Sequence, residues 1–363
     1  MAATCEPVPI YNCHTHTFTL DHVPDDFLPF GLVAWFRSGL GHSLLHSLVA
    51  NPRWRRRLSG LLQRLAPGAD PAMVDRGVRF LHRLASPGQR AVWEEMAAHY
   101  PHGTRFVALP MDFQYSGLGK LHKSVRRQHA ELLRLAAESD GRLIPFCAVD
   151  PRRGALLRWV RFWHAKGCRG LKVYPPLGYG PGHKGLLPVL RYAADHELPV
   201  ISHCSGGDAV RGHGLNATAA THLAAPNQWR DVLAQVPHLR LCLAHFGGAG
   251  EWDRALQLHG APERLDDPWI GQILDLVRDR RWHVYTDISY TLFTTETRLA
   301  YLKLLLQDER IADRVLFGTD FPMVEYEDKS EKQVCVEVRA ALGEELWWRL
   351  AHHNPRRFLG QGL

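Results

Sequence analysis

Short runs of apolar residues recur along the chain, and most are followed by a segment in which apolar residues return at helical spacing. Runs of this kind are typical of strands buried on both faces. The eight runs are Val8–Cys13, Arg105–Met111, Leu143–Val149, Gly170–Tyr174, Pro199–His203, Leu239–Ala244, His283–Ile288 and Val315–Phe317. Helical spacing is found in Val125–Glu138, Gly154–Lys166, Leu186–Glu197, Ala225–Val236, Asp267–Arg280 and Arg298–Leu306.

Strands that alternate with helices predict an α/β protein whose parallel sheet is built with right-handed crossovers. Eight such units within 363 residues favour a closed (β/α)8 TIM barrel over an open sheet. The segments Lys332–Leu350 and Asn354–Leu359 supply the last helices. We therefore expect a single domain over residues 1–363.

One connection is abnormally long, because Thr17–Thr104 separates the first predicted strand from the second. Three of its parts look helical: Pro52–Leu65, Ala72–Leu84 and Gln89–His99. Compact domains seldom contain bare loops of this length. We expect residues 17–104 to form a helical insertion on the C-terminal rim, where TIM-barrel active sites lie. It would serve as a lid with Phe18 as a pocket wall, as a homodimer element, or as both.

Composition narrows the class of protein. A hydrophobic share of 45% and a charged share of 22% fit a globular protein and exclude collagen-like, coiled-coil and disordered chains. The net charge of +7 is modest, and its densest cluster is Arg53 with Arg55, Arg56 and Arg57. We interpret that cluster as a solvated helix face rather than a phosphate-binding patch. Nucleic acid is therefore not the expected partner.

The cysteines and the N-terminus bear on location. Seven cysteines are scattered without a CxxC pair, which favours buried free thiols in a reducing compartment. The first residues lack a signal-peptide pattern, and no apolar run approaches the length of a membrane span. We predict a cytoplasmic protein with no membrane partner.

The first chemical signal is a pair of histidines, His14 and His16, at the end of the first strand. Strand side chains alternate, so both point to one face, with Cα atoms roughly 6–7 Å apart. Two imidazoles at that separation can share one ion at about 2.0–2.1 Å from each nitrogen. Among 22 histidines such a pair is a weak signal on its own.

Three further strand ends strengthen the signal. His203, His245 and Asp320 each end an apolar run. Taken singly, each is explained as well by a capping or loop-anchoring role. Because strand C-termini converge on one rim of a barrel, their recurrence predicts a metal site there.

Together these residues resemble the amidohydrolase superfamily of metal-dependent TIM-barrel hydrolases. The resemblance is closest to the branch containing aminocarboxymuconate-semialdehyde decarboxylase and pyrone-dicarboxylate lactonase. The family's strand-one pair matches His14 and His16, and its strand-five histidine matches His203. Its strand-six histidine matches His245 in Ala-His-Phe-Gly-Gly, and its strand-eight aspartate matches Asp320 in Gly-Thr-Asp-Phe-Pro. The match covers most of the chain, and the insertion Thr17–Thr104 is its least typical part.

The resemblance implies a divalent ion held by His14, His16, His203 and Asp320, with His245 as a candidate additional ligand. Nitrogen and oxygen donors favour Zn²⁺, with Mn²⁺ or Fe²⁺ as alternatives. Such an ion lowers the pKa of its water toward ~7. Asp320 would accept the proton of that water and return it to the leaving group. His245 would use a free ring nitrogen to polarise the scissile carbonyl.

Several other residues have open roles. Lys172 lies in the fourth strand, where some branches carry a carbamylated lysine that bridges two metals. It is otherwise expected to bind a substrate carboxylate or form a salt bridge in the barrel. Tyr174, His213 and His222 are candidate substrate contacts, with loop surface as an equal alternative. We expect Asp287, at the end of the seventh strand, to cap a helix or to make a rim hydrogen bond.

Three functions follow. The sequence favours metal-dependent hydrolysis of an amide, ester or lactone bond in a small molecule, which can be carboxylated. Non-oxidative decarboxylation of a small carboxylic acid uses the same ligands and stays open. A non-catalytic binding module on a barrel scaffold is the third, supported only by the arginine cluster.

Overall fold

The computed structural model describes residues 8–27, 83–206, 210–257, 268–291, 296–324 and 330–360, together with the single residues 53, 57, 60, 64 and 80. The helices predicted over Pro52–Leu65 and Ala72–Leu84 therefore lie largely outside the described residues. The same is true of most of the arginine cluster.

All strands of the described chain pair in parallel. They are β1 (Tyr11–Thr15), β2 (Arg105–Ala108), β3 (Leu143–Pro145), β4 (Cys147–Val149), β5 (Leu171–Val173), β6 (Val200–Ser202), β7 (Arg240–Leu243), β8 (His283–Asp287) and β9 (Val315–Leu316). Each predicted run contains strand. The third contains two, because the backbone switches partner at Phe146: its N–H donates to Ala108 in β2, whereas the next N–H donates to Gly170 beside β5.

The sheet closes on itself between β9 and β1. The N–H of Cys13 donates to the carbonyl of Phe317 at 2.8 Å, and the N–H of Asp320 donates to the carbonyl of His14 at 2.8 Å. Strand order runs β1-β2-β3 and then β4 to β9, so sequence neighbours are spatial neighbours throughout. The predicted TIM barrel is confirmed.

Helices cover the outside of the barrel. They are α1 (Gln89–Ala97), α2 (Val125–Ala137), α3 (Leu156–Ala165), α4 (Leu187–Asp195), α5 (Ala217–Ala224), α6 (Arg230–Gln235), α7 (Ala249–Gln257), α8 (Trp269–Arg278), α9 (Glu296–Leu305), α10 (Glu309–Ala312), α11 (Glu331–Leu342), α12 (Glu344–Trp348) and α13 (Asn354–Leu359). The sequence did not predict α5, α7 or α10. The first turn of α5 is capped by the side chain of Asn216. The helix predicted over Lys332–Leu350 breaks at Gly343, whose φ of 81° favours glycine.

Two apolar clusters form the core. The larger lies between the barrel and its helices, and the smaller contains residues from the barrel strands, including Val107, Ile144 and Ile201. Phe358 and Leu359 of α13 join the smaller cluster. The final helix therefore packs against the barrel strands, with the ring centroid of Phe358 5.1 Å from that of Tyr285 in β8.

The described parts of the insertion begin at the rim. Helix α1 confirms the prediction over Gln89–His99. Phe18 is 3% exposed, and its ring centroid lies 5.3 Å from that of His16 and 6.3 Å from that of Phe27. The insertion's first residues therefore contact the predicted metal site. Whether the whole segment acts as a lid or a dimer element stays a prediction.

Two sequence predictions about location have different outcomes. Among the described residues, no helix combines the length and apolarity needed to span a bilayer. The described cysteines are free and, apart from the half-buried Cys335, buried. The cytoplasmic location stays a prediction.

The close approach of Gly170, just before β5, to the buried ring of Phe146 gives a stability prediction. A Cβ added at Gly170 would lie 2.4–2.7 Å from three atoms of that ring. We expect Gly170→Ala to lower the free energy of unfolding by about 1–3 kcal/mol, the usual cost of overpacking. Gly154→Ala is the matched control, because a Cβ there meets nothing within 4 Å. Urea unfolding of both variants makes the comparison, and equal stabilities would contradict the packing described here.

Candidate active site

The predicted ligand residues all lie at the C-terminal ends of strands. His14 is in β1 and His16 follows it, while His203 follows β6 and His245 follows β7. Asp320 lies four residues after β9. Because parallel strands end on the same rim, these side chains come from sequence-distant segments into one region of the barrel mouth.

Three of these side chains meet closely. The Nε2 atom of His16 lies 3.0 Å from Oδ1 of Asp320, and Nε2 of His14 lies 3.5 Å from the same oxygen. Ligand atoms of a tetrahedral site with bonds of about 2.0–2.1 Å are themselves about 3.3–3.4 Å apart. One ligand atom from each of the three residues lies within 4.8 Å of the others, so a single ion can contact all three.

The hydrogen bonds of His16 show that this cluster needs a cation. Its Nδ1 lies 2.7 Å from the carbonyl oxygen of Leu109, which can only accept, so Nδ1 carries a proton. A neutral His16 then turns an Nε2 lone pair toward the Asp320 carboxylate. Two lone pairs at 3.0 Å repel each other unless a cation lies between them. That cation is either a proton, which makes His16 an imidazolium, or a metal ion.

His14 presents its Nε2 lone pair in the same way. Its Nδ1 is 2.9 Å from Oδ2 of the fully buried Asp287. Its Nε2 is 3.1 Å from Nζ of Lys172, and an ammonium group can only donate. The proton of His14 is therefore on Nδ1, and its Nε2 faces the center of the cluster.

His203 and His245 form a second pair. Nε2 of His245 lies 3.1 Å from Nδ1 of His203, and their ring centroids are 4.8 Å apart. In the described part of the chain, Nε2 of His203 is buried without a hydrogen-bond partner. A buried polar atom without a partner is costly, so this nitrogen fits a ligand that the protein chain does not itself provide. His245 has partners at both nitrogens, because its Nδ1 contacts Ser289. The free nitrogen expected from the sequence is absent there.

A second group of candidate ligand atoms comprises His14, His245 and Asp287. The hydroxyl of Ser289 lies among them, 3.2 Å from Nδ1 of His14 and 2.9 Å from Nδ1 of His245. It also donates to Oδ1 of Asp287. These atoms satisfy one another, so the geometry favours the His14, His16 and Asp320 group as the metal site.

Burial sets the charge states. Burial, followed by the charge of Lys172, lowers the pKa of His14 to about 3. Burial lowers the pKa of Lys172 to about 8. For Asp287 and Asp320 burial raises the pKa, but the neighbouring histidines outweigh it and hold both pKa values below the ordinary range. The site thus combines neutral imidazoles at His14 and His203 with the carboxylate of Asp320, which are donor types that a divalent ion requires.

Two of the site residues adopt unusual backbone conformations. His245 and Asp320 each have a φ of 65°, in the left-handed region that non-glycine residues seldom occupy. The N–H of Asp320 is held by His14, and the N–H of His245 is held by the carboxylate of Asp287. Strained backbone held in this way is concentrated at functional sites.

The candidate substrate contacts divide into two groups. Phe18 and Tyr174 lie at the site, since the Tyr174 ring centroid is 4.5 Å from that of His203. His213 and His222 are exposed. The N–H of His213 donates to the carbonyl of Ser116, and Nε2 of His222 lies 3.2 Å from Nε2 of Gln228. Their roles in substrate binding stay predictions.

Sequence reasoning missed the part played by Asp287 and Ser289. Asp287 was expected to cap a helix or to bond at the rim, whereas its carboxylate contacts two histidine-bearing segments inside the site. The available signal was an aspartate at a strand C-terminus followed two residues later by a serine. That pattern is common in turns, so the sequence alone does not distinguish it.

Solved structures share this fold over almost the whole chain. A 5-carboxyvanillate decarboxylase from Novosphingobium aromaticivorans is 14% identical, with 97% of this chain and 96% of that chain covered at a TM-score of 0.58. A 2,6-dihydroxybenzoate decarboxylase from Rhizobium is 16% identical, with 97% and 99% covered at 0.57. A protein described as a 2-pyrone-4,6-dicarboxylic acid hydrolase, from Pseudomonas putida, is 16% identical, with 98% and 99% covered at 0.55.

The search of curated proteins gives no match. The family comparison is decisive, because the family described as amidohydrolase matches residues 13–361. That range contains strands β2 to β9, the histidine pair at the end of β1 and the aspartate after β9. The chain belongs to the amidohydrolase family.

Proposed function

We propose that this protein is a metal-dependent hydrolase acting on an amide, ester or lactone bond in a small carboxylated molecule. The observation that carries the proposal is the meeting of Nε2 of His14, Nε2 of His16 and Oδ1 of Asp320 at metal-ligand spacing. His203 completes the proposed ligand set through its unpartnered Nε2. Zinc suits this set best, with manganese or iron as alternatives.

When bound, a divalent ion supplies a Lewis acid that activates water and polarises a carbonyl group. The chain's own residues do the rest. Asp320 is a carboxylate and can hold and return a proton. His245 lies against His203, and it can stabilise charge on the substrate oxygen only when its contact with His203 is exchanged and its Nε2 takes up a proton.

Lys172 supports a carboxylated substrate. It is 2% exposed, and its Nζ bonds His14. A buried cation beside the metal ligands can bind an anionic group of the substrate once the metal engages His14. Carbamylation of Lys172, which would make it a ligand, remains the alternative role.

Decarboxylation is the second candidate function, and a specific observation favours it. Two of the solved structures with the same fold are decarboxylases, and the 5-carboxyvanillate decarboxylase was solved with manganese and a nitrobenzoic acid bound. Fold similarity of this kind does not transfer an activity. In hydrolysis water attacks the carbonyl carbon, whereas in decarboxylation carbon dioxide leaves and a proton takes its place on the carbon.

Isotopic labelling separates the two reactions. The zinc- or manganese-loaded protein would be tested on lactones, esters and amides bearing a carboxylate, and on hydroxybenzoic acids, in ¹⁸O water and in deuterated water. We expect hydrolysis to place one ¹⁸O in the product carboxylate without loss of carbon dioxide. Release of carbon dioxide with deuterium at the vacated carbon would establish decarboxylation and contradict hydrolysis. Removal of the metal with a chelator should abolish either activity.

A further inference from the structure

A buried carboxylate and a buried hydroxyl connect the histidines of this site. Asp287 and Ser289 are both 0% exposed, and neither is one of the four proposed ligands. Oδ1 of Asp287 accepts the N–H of His245 at 3.0 Å and the N–H of Ser289 at 3.1 Å. Its Oδ2 faces Nδ1 of His14 at 2.9 Å. The carboxylate is therefore held by the backbone on one side and by a histidine on the other.

The direction of the single Ser289 hydroxyl proton determines the tautomers of His14 and His245. The hydroxyl donates to Asp287, so it can only accept from the two Nδ1 atoms beside it, at 3.2 Å in His14 and 2.9 Å in His245. Nδ1 of His245 also lies 3.2 Å from the carbonyl oxygen of Ser289, which is again an acceptor. Both histidines therefore carry their proton on Nδ1.

The tautomer of His245 in turn determines the tautomer of His203. With its proton on Nδ1, His245 offers an Nε2 lone pair to Nδ1 of His203 at 3.1 Å. His203 must donate in that contact, so its own Nε2 keeps a lone pair. This is the buried nitrogen that has no partner among the described residues.

We propose that Asp287 and Ser289 are positioning residues that set the tautomers of His14, His245 and His203, so that His14 and His203 direct their Nε2 lone pairs at the metal. The inference deepens the proposed function and depends on it for the metal, but the tautomers themselves exist without one. Partners of this kind behind metal-binding histidines typically change metal affinity by about 10- to 100-fold.

Asp287→Asn is the sharpest variant. Two backbone N–H groups point at Oδ1, so the amide oxygen of asparagine must occupy that position and its NH₂ group must face His14. An NH₂ group can only donate, so it opposes a proton on Nδ1 of His14 and favours one on Nε2, where Nζ of Lys172 at 3.1 Å must then accept as a neutral amine. In serine proteases, replacing the aspartate behind the catalytic histidine by asparagine produces the wrong histidine tautomer in the same way. The wrong tautomer of His14 cannot bind a metal through Nε2.

The experiment measures ¹⁵N chemical shifts of the histidine rings in metal-free protein, with signals assigned by single His→Gln variants. We expect Nδ1–H at His14, His245 and His203 in the wild type, and Nε2–H at His14 in Asp287→Asn. Zinc affinity of Asp287→Asn should fall about 10- to 100-fold. Glu331→Gln is the matched control, because it neutralises another fully buried carboxylate, one bonded to Tyr100. Glu331→Gln should change neither the histidine tautomers nor the zinc affinity.

An Nε2–H tautomer at any of the three histidines in the wild type would overturn the proposal, even if Asp287→Asn failed to fold. An unchanged His14 tautomer or unchanged zinc affinity in a folded Asp287→Asn would overturn it too. If the tautomers are as expected but the wild type binds no zinc, the metal centre is wrong and the tautomer assignment stands. The two failures are therefore distinguishable.

Discussion

Replacing Asp320 by asparagine should lower turnover by about 10²- to 10⁴-fold, the contribution typical of a positioned proton acceptor. The change keeps an oxygen near His14 and His16 but removes the group's ability to take up a proton. Zinc or manganese content should fall far less than turnover. Steady-state kinetics together with metal analysis of the same preparation tests this expectation.

Asp112→Asn provides the control for Asp320→Asn. Asp112 is also buried on the rim, where it pairs with Arg153 at 2.6 Å. Its loss should affect stability more than turnover. Wild-type turnover by folded, metal-loaded Asp320→Asn would remove Asp320 from the proton-transfer role.

Replacing His245 by alanine should lower turnover by about 10²- to 10³-fold, as expected for loss of one stabiliser of developing charge. The structure adds a second effect, because Nε2 of His245 lies 3.1 Å from Nδ1 of His203. Removing the His245 ring leaves that nitrogen without its acceptor, so metal affinity should fall as well. Zinc titration monitored alongside kinetics separates the two effects.

His129→Ala is the matched control for His245→Ala. His129 is fully buried against Trp159 and Trp163, away from the cluster. It accepts the N–H of Ala148 at 2.9 Å. The control should lose stability but keep its turnover per folded molecule. If His245→Ala retained full turnover, His245 would have no catalytic role.

The barrel could be predicted from the sequence because both of its signals are local. Buried strands are short apolar runs and helices have their own spacing, so each element is visible in a few residues. The division of the third apolar run into two strands needed tertiary information. Phe146 divides one predicted run into β3 and β4, because its N–H donates to Ala108 in β2 whereas the N–H of Cys147 donates to Gly170 beside β5. Helix α5 was missed for a different reason, because its stretch contains no strong apolar periodicity, although the cap at Asn216 is a local signal.

The candidate site was predictable to the extent that its residues end strands. His14, His16 and Asp320 meet as barrel topology requires, since strand C-termini share one rim. The hydrogen-bond partners were not predictable. Asp287 and Ser289 act on histidines more than 40 residues away in sequence, as shown by the separation of 273 residues between Asp287 and His14. Such pairings depend on side-chain directions at the rim, which residue spacing does not encode.

The most direct test of the account is the position of a bound metal ion. We predict that a crystal of zinc-loaded protein, measured at the zinc absorption edge, contains one ion bound by Nε2 of His14, His16 and His203 and by a carboxylate oxygen of Asp320. The nitrogen distances should be about 2.0–2.1 Å. An ion at Nδ1 of His14 and Asp287, or no ion at this cluster in protein soaked with excess zinc, would contradict the central claim.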